Sequence, residues 1–165
     1  MKQRRIEEED LGPMKLIFNY ENVFYSFFYD DISGCIHRSR EYAMNYVYSG
    51  EMILDNGKQQ IHVGKGECVY IPRDHHITMY KRTFNGERYC GIFLNFTRNF
   101  LREMYAKFGQ CKIPADTSKL KPEVIKLPKT AEITSLFASL TPFFDPEVKP
   151  RDDFMHLKLQ EGLLA

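Results

Sequence analysis

The sequence has no tryptophan, and no apolar run approaches the ~18–20 residues that a membrane-spanning helix needs. Neither charge is in excess: 23 Lys+Arg against 22 Asp+Glu leave a formal net charge of +1. That balance offers no electrostatic footprint for direct contact with nucleic acid. Cysteine is sparse. Cys35, Cys68, Cys90 and Cys111 form no CxxC and no Cys/His zinc spacing, and read as reduced structural thiols. GxSxG, GxxxxGK[ST], a strand-following GxGxxG and HExxH are all missing. The adjacent Asp30 and Asp31 would point to opposite faces of a strand, so they make no acid/base pair. No residue constellation supports catalysis. The first residues run from Lys2, Gln3, Arg4 and Arg5 into acids, without the apolar h-region of a secretory signal. The expectation is a soluble, cytoplasmic chain of one domain, long enough at 165 residues to bury its own core.

What the sequence does contain is aromatic residues, 14% of the chain with 13 Phe and 10 Tyr. Residues 1–10 carry two opposed charge blocks and little to bury, so 1–15 reads as a mobile N-terminal arm. Residues 16–112 read as a β-rich unit with a following helix. Strands are expected over 22–29, 42–48, 52–54, 59–63, 68–71, 77–81 and 89–96, and residues 42–48 alternate cleanly. Asp55-Asn56-Gly57 signals a type I′ hairpin, and Asn85-Gly86 signals a second hairpin. Strands this short and closely spaced predict an antiparallel sandwich or barrel. Helical spacing appears over 95–108, with Gly109 as its C-cap. It recurs at Ile133, Leu136, Phe137 and Leu140, ahead of Pro142. A last helix, capped by Asp152 or Asp153, runs through Leu163 and Leu164 and stops in mid-apolar stripe. Natural helices rarely end that way, so residues 113–165 read as a helical region cut from a longer chain.

The phrases IHRSREYAMNYVYSGEM, GECVYIPRDHHITMYKR and GIFLNFTRNFLREMY resemble the N-terminal cupin domain of AraC-type transcription regulators. DFMHLKLQEGLLA resembles the helix before the linker to the DNA-binding domain of that family. The resemblance implies a cupin-type (jelly-roll) β-barrel followed by an α-helical dimerisation region, with roles in effector sensing and pairing. DNA contact would belong to helix-turn-helix motifs further along the parent chain, not to these residues. In metal-binding cupins the first motif supplies two His at i and i+2, then Glu four further on, ahead of Gly. Aligned on Gly50, those positions fall on His37, Ser39 and Ala43. In the second motif Gly66 and Pro72 match, but the last His position falls on Ile77. One histidine cannot hold a catalytic divalent ion, which needs about three protein ligands. No metal and no cofactor are therefore expected. His75, His76, Arg73, Lys81 and Arg82 read as a solvated loop and strand edge.

Strand parity then names the expected site. His37, Ser39, Glu41, Ala43, Asn45 and Val47 share one face, and the alignment makes it the inner one. His37, Ser39 and Asn45 are the residues expected to line any ligand cavity. The opposite face, Tyr42, Met44, Tyr46 and Tyr48, is bulky enough to pack on helices or a second sheet. On the last helix one stripe holds Phe154, Leu157, Glu161 and Leu164, and another holds Met155, Leu159 and Gly162. One stripe packs inward and the other is free for a two-fold contact with a second copy. Leu157 and Leu164, or else Leu159, are the residues expected at a homodimer contact. Two further function classes fit the same residues: a cupin enzyme with a variant metal site, and a protein-only module controlled by a regulatory protein instead of a small-molecule effector.

Overall fold

The computed structural model describes residues 14–21, 23–29, 33–38, 40–108 and 123–165. In chain order the elements are β1 (Met14–Tyr20), β2 (Phe24–Tyr29), β3 (Ser33–Arg38), β4 (Tyr42–Ser49) and β5 (Glu51–Asp55). They continue with β6 (Gln60–Val63), β7 (Cys68–Ile71), β8 (His76–Arg82), β9 (Tyr89–Phe96) and α1 (Arg98–Phe108). Last come β10 (Ile125–Lys126), α2 (Ala131–Ala138), a 3-10 turn (Thr141–Phe144) and α3 (Asp152–Leu164). A six-stranded sheet has the order β1-β2-β9-β4-β7-β10, and a four-stranded sheet has the order β3-β8-β5-β6. Neighbouring strands run antiparallel throughout. The fold is mainly β with C-terminal helices.

Side-chain alternation divides the apolar residues into two cores. Between the sheets lie Ala43, Val47, Val69, Ile71 and Phe93 of the larger sheet, facing Met52, Leu54, Val63, Ile77 and Met79 of the smaller. The other face of the larger sheet presents Met44, Tyr46, Ile92, Leu94 and Phe96 to all three helices. β4 and β9 thus bury both faces, which explains their near-continuous apolar text. Burial of a large side chain contributes roughly 1.5–3 kcal/mol, so the helices hold to the sheet through Phe100, Met104, Leu136, Phe137 and Met155.

Local chemistry corrects several expectations. Asn85 (φ 50°) and Gly86 (φ 76°) are both left-handed, as a type I′ turn requires, and Phe84 and Glu87 exchange two backbone hydrogen bonds. At the Asp55-Asn56-Gly57 hairpin only Gly57 is left-handed (φ 84°), so the turn is not type I′. Asp55 Oδ1 accepts from Gly57 N, and Asn56 Oδ1 accepts from Lys58 N and Gln59 N, building a longer loop from Asx contacts. α1 begins at Arg98 because Asn95 and Phe96 pair with Ala43 and Tyr42 in the sheet, while Thr97 Oγ1 accepts from Phe100 N. Its expected C-cap, Gly109, lies outside the described residues. α2 is capped by Thr130, whose hydroxyl accepts from Ile133 N. At α3 the cap position is Arg151. Asp152 and Asp153 lie in the first turn, where carboxylates favour the helix dipole.

Candidate functional site

Two regions carry the expected site residues. The first lies between the sheets. Ala43 and Val47 point into this core and Met44, Tyr46 and Tyr48 away from it, the parity expected from the alternation. Asn45 is 0% exposed. Its Nδ2 donates to the Ile92 carbonyl at 3.2 Å, and its side chain pairs with the Tyr89 hydroxyl at 3.5 Å. His37 lies in the other sheet, on β3 opposite Ile77. Its side chain and the whole of Ser39 lie outside the described residues. Lys81 is not part of a solvated edge: it is 3% exposed, with Nζ 5.6 Å from the Tyr89 ring centre and 5.4 Å from that of Phe93. A period-two count from Ile77 and Met79 would have turned it inward.

Nearby, Glu51 joins three strands of the smaller sheet. His62 Nδ1 lies 3.0 Å from its Oε1, and Arg82 Nε donates to Oε2 at 2.6 Å. Burial pushes this carboxyl up, but the hydrogen bonds from His62 and Arg82 outweigh it and hold the group below the ordinary glutamate range. Among the described residues, no group of three or more His, Cys, Asp or Glu is placed to hold a metal ion.

The second region is α3. At 100° per residue its two apolar stripes fall on opposite sides rather than side by side. Met155, Leu159 and Gly162 are buried against the sheet and the other helices, and Leu159 is 8% exposed. That corrects its place among the expected contact residues: Leu159 belongs to the interior. Leu157 is 59% and Leu164 68% exposed, in line with Phe154 at 43%. Tyr20 donates to Asp152 Oδ1 at 2.7 Å and ties the start of α3 to β1. Burial and the neighbouring carboxylate push that phenol up to about 12. Further along, Lys158 bonds Glu161 at 2.8 Å and covers the Phe154 ring. Tyr48 donates to the Phe137 carbonyl at 2.6 Å, and Tyr46 stacks on Phe137 with 4.7 Å between ring centres, so α2 is fixed to the same sheet face.

A cavity of about 520 Å³ opens on this face. Its floor is β4, β7 and the end of β9. Its walls come from α1, the segment after β10, the start of α2 and the last turn of α3. The sequence patterns did not reveal it, because its lining spans residues 42–165 and only the fold assembles them.

The family model for the ExsA N-terminal regulatory domain matches residues 42–165. No curated protein matches in sequence. Among solved structures, apo ToxT from Vibrio cholerae superposes with a TM-score of 0.61 at 10% identity, over 86% of this chain and 54% of that one. Wild-type ToxT from Vibrio cholerae bound to an unsaturated fatty acid gives 0.57 at 10% identity, over 85% and 52%. A Cupin 2 conserved barrel domain protein from Salinispora arenicola gives 0.42 at 12% identity, over 65% and 98%. The chain spans about half the length of the ToxT structures it matches.

Proposed function

Because this chain belongs to the family of ExsA N-terminal regulatory domains, found in AraC-type transcription regulators, we propose that it senses an effector and pairs with a second copy through α3. Its output is sequence-specific DNA binding by helix-turn-helix motifs outside these residues. It acts in the cytoplasm, as a regulator and not a catalyst. No helix among the described residues is long and apolar enough to cross a membrane.

The observation that carries the pairing is the division of α3 into two faces. Met155, Leu159 and Gly162 are consumed by the monomer, while Phe154, Leu157 and Leu164 are left in solvent. Burying two or three such side chains per chain contributes enough for a weak to moderate dimer once the cost of association is subtracted. A two-fold axis along this stripe would set Leu157 and Leu164 of one copy against those of the other. The proposed jelly-roll barrel supplies the rigid body on which α3 is carried. Sedimentation of the wild type and of Leu157→Glu with Leu164→Glu tests the pairing. The wild type should self-associate and the double variant should stay monomeric with unchanged circular dichroism. A dimeric double variant, or a wild type that stays monomeric at high concentration, would place the contact elsewhere.

The sensing part of the reading is supported by the family and by the acid-bound ToxT relative. An inter-sheet ligand site built on His37, Ser39 and Asn45 would put the ligand against the Asn45–Tyr89 pair. Displacing those buried bonds without replacing them costs about 1–3 kcal/mol.

A further inference from the structure

We propose that the cavity on the helix-covered face of the larger sheet binds an uncharged, ring-bearing apolar molecule. The proposal deepens the sensing reading above, on which its consequence for pairing rests; the binding site itself stands on the geometry.

The volume, about 520 Å³, lies in the usual range for small-molecule sites, roughly 300–1,000 Å³. Met44, Phe96, Leu101 and Leu163 supply apolar wall, and among the lining side chains Tyr42 and Tyr70 carry the polar groups, one phenol each. The two phenol rings are nearly parallel, 9° apart with 6.4 Å between centres, and offer flat faces to a planar guest. Burial, with Tyr42 alongside, pushes the Tyr70 phenol up, so it stays protonated and can donate to a ligand oxygen or nitrogen. None of the lining side chains is charged. A carboxylate or ammonium carried into this space would lose its water without gaining a counter-charge, whereas a neutral ring would lose nothing. That selects a neutral guest over a fatty acid. An apolar hollow also binds apolar ligands in preference to ordered water, which needs two to four polar partners.

Position gives the site its consequence. The last turn of α3 forms one wall, and Leu157 and Leu164 leave the opposite side of that helix. A guest bridging α3 to β4 and β7 favours the docked helix by mass action and so biases the face that pairs.

The test uses N-phenyl-1-naphthylamine, a neutral fluorescent ring compound, with dodecanoate as the charged comparator. The expected result is saturable binding of one probe per chain, with dodecanoate a poor competitor. Leu163→Trp and Leu101→Trp, which fill the cavity from partly exposed positions, should each bind the probe roughly tenfold more weakly while keeping the wild-type circular dichroism. Leu163→Ala, which cannot crowd the fold, should keep the site and change its affinity. Lys58→Ala, an exposed change on the loop between β5 and β6 of the other sheet, should leave probe binding as it was. Unsaturable binding, equal binding by both Trp variants, or displacement of the probe by dodecanoate would overturn the proposal. Sedimentation with and without probe separates the two layers: probe bound at this cavity with no change in self-association keeps the site and removes its role in sensing.

Discussion

Gly162 of α3 lies so close to Leu94 of β9 that a β-carbon at position 162 would sit 2.5 Å from Leu94 Cδ2. Leu94 is fully buried, so its side chain must shift within the interior to make room. Gly162→Ala therefore sets a gain of about 1 kcal/mol in helix propensity against a clash worth about 1–3 kcal/mol. The expected outcome is net destabilisation, with α3 loosened first. Urea unfolding, with hydrogen exchange resolved along α3, measures both; a more stable variant would show that the helix can shift outward freely.

Leu157 and Leu159 differ by two positions and should differ widely in cost. Leu159→Ala removes buried side-chain volume and should cost about 2–4 kcal/mol. Leu157→Ala should stay within about 0.5 kcal/mol at concentrations where the chain is monomeric. Denaturant midpoints of the two variants provide the comparison, and equal losses would contradict the assignment of faces.

Asn45 is a buried amide whose partners lie on β9. Asn45→Ala should cost about 1–3 kcal/mol, because the Ile92 carbonyl and the Tyr89 hydroxyl lose a buried partner. A double-mutant cycle with Tyr89→Phe should return a coupling of about 0.5 kcal/mol or more. Additive losses would mean that the 3.5 Å contact contributes nothing.

The carboxyl of Glu51 is held below its ordinary range in the folded state. Its stabilisation is therefore complete above the unfolded value of about 4.3 and disappears as pH falls through the lower folded value. Glu51→Gln should be less stable by about 1–3 kcal/mol at neutral pH, since Arg82 loses its charged partner. The two proteins should converge as the medium is acidified below about pH 4. Thermal melts across pH 2–8 would show the convergence (~pH 4 downward), or parallel curves if Glu51 plays no part.

The strands that the pattern revealed are those with a strong reason to alternate or to stay apolar. β4 was readable because its two faces meet different partners, Ala43 and Val47 the other sheet, Met44 and Tyr46 the helices. β1, β3 and β10 were not read as strands. β1 changes register between Leu16 and Phe18, which breaks the period-two pattern. β3 carries Ser33 and Gly34, weak strand formers. β10 is two residues long, set by Ile125 and Lys126 pairing with Tyr70 and Val69. The α3 stripes were legible as residues, but choosing the buried one needed Gly162, whose missing side chain admits Leu94. Of the inter-sheet residues, Asn45 was legible from parity. Lys81 obeys the same parity, counted from Ile77 and Met79, but a lysine among histidines and arginines reads as surface, and the parity was outweighed by residue type.

β4 runs between β7 and β9, and five successive residues, Ala43 to Val47, are buried from both sides. Its amide hydrogens have no route to solvent short of opening the whole molecule, so exchange there should report global unfolding. The helices, attached to one side of this slab, can open at lower free energy than the slab itself. In deuterium the protein should therefore mark itself in two tempos: a slow central ribbon of β4 and β9, and a faster outer layer in which α3 trades protons while the ribbon keeps its own.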